Sequence, residues 1–305
     1  MICTITVNPC IDCFVTLQSP ARLGAINRVR HEQIRPGGKG VNVAVMLQRL
    51  GVSALAAGFR AGECGELLEA LLVKYGLSPH FIPLSDGQTR INFKIEDAPE
   101  TAFNGKGPQI SADALQKLVS LSDGLNGRDT LVLSGNVQGG AEIYEALAAS
   151  AERTGARLVV DTSGPALQRM LRFRPFLIKP NAEELAELYS QEADSLPALI
   201  RLARRARQDG AQNVLVSMGK DGSLLLTQDG LLLRAELEKP FSPVSTVGAG
   251  DSLVAGFLAG LEKNGNREDA LRLGAAAGTA TACDIWLAEA GQVQAVIPFV
   301  RITRL

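Results

Sequence analysis

The 305-residue sequence is short of most features that assign a protein at a glance. It has only two histidines, His31 and His80, which stand alone. Its five cysteines (Cys3, Cys10, Cys13, Cys64 and Cys283) are odd in number and scattered. That suits reduced thiols rather than a disulfide framework. Cys10 and Cys13 do form a C-x-x-C, but no second thiol pair or spaced histidines accompany it. It reads as two strand cysteines rather than a zinc or redox site. No apolar run approaches the roughly 20 residues that span a bilayer. The opening "MICTITVNPCID" has neither the basic start nor the long apolar core of a secretion signal and reads as a strand. A cytoplasmic location is expected. Nor is there charge of one sign: 31 Lys and Arg against 32 Asp and Glu give a formal net charge of -1. This removes the electrostatic case for a nucleic-acid or anionic-membrane partner. Internal repeats, low-complexity tracts and long linkers are absent as well.

What is present is ordinary globular composition, 46% hydrophobic and 21% charged, in a chain long enough to bury a substantial core. β-rich apolar runs ("CTITV", "ALAAGF", "DTLVLSG", "ARLVVD", "PFLIKP", "NVLVSMG") alternate with amphipathic stretches. Three of those stretches, "GVNVAVMLQRLG", "CGELLEALLVKYG" and "LPALIRLARRARQDG", end in glycine, a common helix terminator. Strand–helix alternation predicts a parallel α/β sheet covered by helices. It places Ser134, Asp161, Asn181 and Ser217 at strand ends along the carboxyl edge, where such sheets bind ligands. "CFVTL" with "INRVRHEQI", and "QTRINFKIED" with "ETAF", break the alternation and predict a small β-layer that projects from the sheet. Such a layer either closes over a substrate or is an ordinary edge hairpin.

Four motifs carry chemistry, and each has two readings. In "TVGAGD", Gly248 and Gly250 let a ligand approach the main chain where a helix begins, and the first N–H groups of that helix favour an anion. Asp251 is then either a helix-start carboxylate or a base facing a substrate hydroxyl. "RPGGKGVNVA" is not a P-loop, since its spacing is wrong and no Ser or Thr follows the lysine. It is a glycine-opened helix start offering Lys39 to an anion and Asn42 to sugar hydroxyls, or a plain tight turn. In "LIKPNAEEL", Asn181 and Glu184 either serve a hydrated Mg²⁺ or form a capping box. "VSMGKDGS", with Gly219 and Gly222, is a hairpin turn or a close approach to a nucleotide.

Their order along the chain is more telling than any one of them. "PGGKGVNVA", "KPNAEE", "VSMGKDGS" and "STVGAGDSLVAGF" together resemble the ribokinase-like, PfkB carbohydrate kinase family. "TITVNPCID" and "TRIN" are similar to its 1-phosphofructokinase and tagatose-6-phosphate kinase branch. The resemblance covers nearly the whole chain. It implies a single kinase domain over 1–305, a three-layer α/β/α fold with a mostly parallel sheet, and a β-sheet lid from segments about 11–35 and 87–105. It also implies Asp251 as general base and Gly248, Ala249 and Gly250 as the anion hole. Lys179, Asn181, Ser217, Gly219, Gly222 and Thr246 would line the ATP site, with Glu184 acting on Mg²⁺ through water. Asp12, Gly38, Lys39, Asn42 and Arg90 would bind the sugar, and the lid would serve as a homodimer interface.

Arg90 and Lys39 favour a substrate that already carries a phosphate at its far end. The expected reaction is therefore ATP- and Mg²⁺-dependent phosphorylation of a ketose phosphate, with fructose 1-phosphate first and tagatose 6-phosphate or fructose 6-phosphate as alternatives. A kinase for an unphosphorylated sugar and a catalytically inactive sugar-phosphate sensor are more distant readings. Three departures from the family bear on the substrate. "SGNVQGG" keeps Ser134 and Gly135 but has Asn136, Val137 and Gln138 in place of Ser-Leu-Pro. Ala102 replaces a basic residue of some relatives, with Lys106 the nearby substitute. "TATACDIWLAEAGQV" lacks a Gly-Thr pair often found near the nucleotide.

Overall fold

The computed structural model describes residues 1–95, 101–136 and 141–305. The first third of the chain runs β1 (Ile2–Thr6), β2 (Cys10–Leu17), β3 (Val29–Gly37), α1 (Lys39–Arg49), β4 (Ala54–Ala61), α2 (Gly62–Lys74), β5 (His80–Leu84), β6 (Arg90–Ile95) and β7 (Thr101–Asn104). Then follow α3 (Ala112–Ser122), β8 (Thr130–Ser134), α4 (Glu142–Thr154), β9 (Arg157–Asp161), α5 (Gly164–Met170), β10 (Leu177–Ile178), α6 (Ala182–Tyr189), α7 (Leu196–Gln208) and β11 (Asn213–Ser217). The remainder is β12 (Ser223–Leu226), β13 (Leu232–Leu237), α8 (Ala249–Asn264), α9 (Arg267–Ala282), α10 (Ala290–Val296) and β14 (Val300–Arg304).

A ten-stranded sheet in the order β14-β13-β12-β11-β10-β9-β8-β1-β4-β5 forms the body. All six strands expected from the alternating pattern belong to it and pair in parallel. β12, β13 and β14 add antiparallel strands at one edge. Successive residues of each strand feed opposite cores. Leu131 and Leu133 belong to the core shared with α3, α4 and α7, for example, while Val132 belongs to the one shared with α1, α8 and α9. The result is the three-layer sandwich that alternating buried strands require. From β1 the chain winds outward through β4 and β5, then returns to β8 on β1's other side. The strand order reverses there, which opens a crevice beyond the carboxyl ends of β1 and β8.

The four strands outside the alternation form a second sheet, order β3-β2-β6-β7. β2 and β6 pair in parallel, with Asp12 opposite Asn92, and the other two pairs are antiparallel. Along β6 the period of two sends Asn92 and Lys94 inward and leaves Ile91 and Phe93 exposed. Among the described residues no helix is long and apolar enough to cross a membrane.

Helices α8 and α9 meet along a seam of glycines. A Cβ added at Gly256 would lie 2.7 Å from the Leu273 carbonyl oxygen and 2.8 Å from the Gly274 Cα, and one at Gly260 2.5 Å from the Ala270 Cα. The two backbones thus pack directly on each other, which braces α8 from behind.

Candidate active site

Two helices begin at the crevice without a side-chain cap. Gly248 precedes α8 at φ +78°, and Gly38 precedes α1 at φ +111°. A side chain at Gly248 would be strained in that conformation and would also meet Leu287 Cδ2 at 2.8 Å. The first N–H groups of α8 are left for an external partner, and the helix dipole selects an anion.

Asp251 stands in the first turn of α8 and is only 5% exposed. Its Oδ2 accepts a hydrogen bond from Asn42 Nδ2 of α1 at 2.8 Å, which fixes the carboxylate's orientation. Burial and the nearby Asp161 carboxylate push the Asp251 acid from 3.8 up to about 6, against the pull of Lys39, Asn42 and Lys179. That value suits a proton acceptor at neutral pH far better than an ordinary aspartate would.

Asp161, at the end of β9, is fully buried and holds two ammonium groups: Lys179 Nζ at 3.3 Å and Lys39 Nζ at 3.4 Å. Burial works against the Lys39 ammonium, but the carboxylates of Asp161, Asp251 and Glu184 outweigh it and raise its pKa above that of an ordinary lysine. Lys179 lies close to α8 as well, since a Cβ at Gly250 would be 3.2 Å from its Nζ. Two cations thus flank the uncapped helix start. Lys39, expected with Arg90 to bind the substrate's phosphate, lines the same cleft and lies beside the carboxylates of Asp161 and Asp251.

One cleft of about 1140 Å³ gathers every residue that the resemblance assigns to catalysis, nucleotide, Mg²⁺ or sugar, from Asp12 and Arg90 at the small sheet to Ser217, Gly219, Gly222 and Thr246 at the far wall. Gly219 and Gly222 form a turn between β11 and β12, so the hairpin reading of "VSMGKDGS" holds and the same turn lines the cleft. Gly222, at φ +88°, has no room for a side chain beside the Ala235 carbonyl. Apolar residues also line the cleft, among them Phe241, Pro243, Ala275 and Ala282.

Asn181 and Glu184 form a complete capping box on α6: Asn181 Oδ1 accepts from the Glu184 N–H at 2.7 Å, and Glu184 Oε2 from the Asn181 N–H at 2.8 Å. Both residues nonetheless line the cleft. Among the described residues no group of three His, Cys, Asp or Glu side chains is placed to hold a metal directly.

Several positions depart from the sequence reading. Lys106 is exposed and does not line the cleft. Val137 and Gln138 lie outside the described residues, while Ser134 and Asn136 do line it. Cys10 also lines it, and donates to Asp12 Oδ1 at 3.3 Å. Burial and the Asp12 charge push its thiol pKa up, so it is a neutral wall atom rather than a thiolate ligand. Sequence reasoning missed Asn8, Asn92, Lys94 and Tyr144 altogether.

Behind Gly248 the loop before α10 carries Leu287 and the buried Trp286. Tyr75 packs on the indole with ring centroids 5.0 Å apart, and the guanidinium groups of Arg49 and Arg35 lie 4.8 and 5.4 Å from the indole centroid. Arg35 belongs to β3 and also donates to the Tyr75 hydroxyl at 2.9 Å. The small sheet is therefore tied at its base to the loop that backs Gly248.

Buried polar atoms without partners cluster at the crevice: Thr6 Oγ1, Asn42 Oδ1, Ser134 Oγ and Asp161 Oδ2. Natural folds rarely leave such atoms unpaired, so these fit a polar ligand. The profile of the pfkB family of carbohydrate kinases matches residues 6–285. This chain belongs to that family. It is 38% identical to the 1-phosphofructokinase of Bacillus subtilis and 33% identical to the D-tagatose-1-phosphate kinase of Bacillus licheniformis, each alignment covering 100% of both chains. Phosphofructokinase-2 from Escherichia coli, solved with substrates and products, superposes with a TM-score of 0.91 at 28% identity, covering 98% of each chain. The ribokinase-like fold is thereby shown, and the kinase is an ATP-dependent phosphotransferase.

Proposed function

We propose that the kinase transfers the γ-phosphoryl group of ATP to the 6-hydroxyl of fructose 1-phosphate, giving fructose 1,6-bisphosphate. The observation that carries this reading is the buried Asp251, its pKa raised, beside an uncapped helix start and two lysines. Asp251 accepts the proton of the attacking hydroxyl. The N–H groups at Gly248, Ala249 and Gly250 and the ammonium groups of Lys39 and Lys179 stabilise charge on the moving phosphoryl group. Positioning and electrostatics are most of what phosphoryl transfer asks of a protein.

The nucleotide occupies the wall formed by Ser217, Gly219, Gly222 and Thr246, its base against the apolar patch near Phe241. Mg²⁺ neutralises nucleotide phosphate charge when bound. One Glu184 oxygen is committed to the cap of α6, and the other is left for a hydrated ion, as a metal held chiefly by phosphates and water requires. Asp12, Gly38, Asn42 and Arg90 hold the sugar, and the small sheet closes over it as a lid of one kinase domain. ATP-dependent chemistry on a phosphorylated sugar agrees with a cytoplasmic location.

The outer face of the small sheet supports a homodimer. Ile34, Cys13, Phe93 and Phe103 stand in register across its four strands, with Ile34 and Phe93 48% and Phe103 57% exposed. A monomer rarely leaves such a row in water.

The relatives named for fructose and tagatose 1-phosphates frame the test of substrate. ADP release is measured with ATP and Mg²⁺ across fructose 1-phosphate, tagatose 1-phosphate, tagatose 6-phosphate, fructose 6-phosphate, fructose and ribose. Fructose 1-phosphate is expected to dominate in kcat/KM. Preference for another ketose phosphate would reassign the substrate, and turnover of none would leave a sensor.

The acid limb of activity follows from Asp251. A base with its pKa near 6 is protonated below that pH, so kcat/KM is expected to rise through about pH 6 and level off above 7. The substrate's phosphate titrates at about 6 too, so the control is Lys179→Met. Removing that positive charge should move the limb to higher pH, because Lys179 draws the Asp251 pKa down. A limb that stays in place would belong to the substrate.

A further inference from the structure

The lid strand β6 lays three polar side chains along the cleft, Arg90, Asn92 and Lys94, at the two-residue period that turns Ile91 and Phe93 outward. The reaction as derived above has no use for Lys94. Yet its side chain is only 10% exposed, a costly place for an ammonium unless something there needs it.

Asp12 pairs with Lys94 Nζ through Oδ2 at 2.9 Å and accepts from Asn92 Nδ2 through Oδ1 at 2.9 Å. The Lys94 ammonium also lies 4.8 Å from the Phe14 ring centroid. An ammonium has three donors, and Asp12 engages one of them. Arg90 is anchored on backbone oxygens, Asn8 at 3.0 and 3.3 Å and Gly105 at 3.4 Å. Among the described residues of this wall, two cations stand against the one carboxylate of Asp12 and leave a surplus positive charge. A neutral sugar gains little from that surplus, whereas a phosphate monoester, carrying about −1.5 to −2 at pH 7, gains much.

We propose that Lys94 is a specificity-determining residue that reads the phosphate already present on the ketose, with Asp12 holding it in place and serving the neighbouring hydroxyls. The proposal rests on the sugar-phosphate kinase reading and extends it to a residue outside the motifs. It assigns the two exposed-looking charges of "RINFK" to one ligand group. Lys39 and Lys179 remain at the opposite end, around the phosphoryl group in transit.

The test compares wild type with Lys94→Gln, which keeps a donor for Asp12 but loses the charge, and with Lys94→Arg, which restores it. KM is measured for fructose 1-phosphate, fructose and ATP, and the Kd of fructose 1-phosphate by calorimetry without nucleotide. Loss of a charge-assisted contact should raise KM and Kd for fructose 1-phosphate about 10- to 100-fold in Lys94→Gln. ATP and fructose should change by less than about threefold, and Lys94→Arg should recover most of the loss. Fructose and fructose 1-phosphate weakening together would overturn the proposal and make Lys94 a support for Asp12. An unchanged fructose 1-phosphate Kd would overturn it as well. Should wild type bind fructose 1-phosphate without turning over any sugar phosphate, the kinase reading fails while the Kd series still decides Lys94. If wild type binds no sugar phosphate, both fail.

Discussion

Asp251→Asn is expected to lower kcat by roughly 10²- to 10⁴-fold, the usual scale for removing a positioned acid–base group. The substitution is close to isosteric, and an asparagine oxygen still accepts the Asn42 Nδ2 hydrogen bond that now holds Asp251 at 2.8 Å. The helix start, Lys39 and Lys179 keep their places, so ATP affinity measured by calorimetry should survive. A loss in kcat with nucleotide binding intact separates the proton acceptor from the phosphate cradle. Turnover near that of wild type would remove Asp251 from the mechanism. Loss of folding is not expected, because the carboxylate's raised pKa shows that its charged form is already disfavoured where it lies.

Gly256→Val should be strongly damaging although it lies away from the cleft, lowering stability by about 3 kcal/mol or more. Intrinsic helix propensity points the other way, since replacing an interior glycine commonly gains about 0.5–1 kcal/mol. Packing decides the sign. The first added carbon already lies 2.7 Å from the Leu273 carbonyl oxygen and 2.8 Å from the Gly274 Cα, and neither is the end of a flexible side chain. Overpacking a tight core costs about 1–3 kcal/mol and sometimes more, and valine adds two methyls beyond that carbon. Urea denaturation of soluble protein checks it. Gly256→Ala carries the same argument at smaller size: a gain in stability would show that α8 and α9 separate easily. The expected loss should bring a fall in kcat, because α8 also carries Asp251 and the uncapped helix start.

Much of the candidate site's lining was legible in the sequence because it sits at glycine-marked punctuation. Gly38 and Gly248 mark the starts of α1 and α8, Gly250 lies in the first turn of α8, and Gly219 and Gly222 form the turn that ends β11. The body of the sheet was legible for the same reason. Its antiparallel edge was not: "SLLL" and "LLRAEL" are short apolar runs whose direction depends on partners far away in the chain.

Asp161 could be read only as a strand end, because its meaning comes from Lys39 and Lys179, which tertiary structure alone brings to it. Lys39 was read from its charge alone, since its pairing with Asp161 depends on tertiary structure. Lys94 was lost for a further reason. Charge alternating with apolar residues in a short strand normally marks a wet edge, and here the dry side faces out. Phe93, not Lys94, is exposed.

The indole of Trp286 has a use beyond packing. It is the chain's only tryptophan, carried by the loop behind Gly248 and packed against Arg35 at the base of the small sheet. Emission from one such chromophore comes from a single place and changes when the cations beside it move. The molecule thus carries an unlabelled optical gauge where the small sheet meets that loop, able to report any movement between them separately from the chemistry.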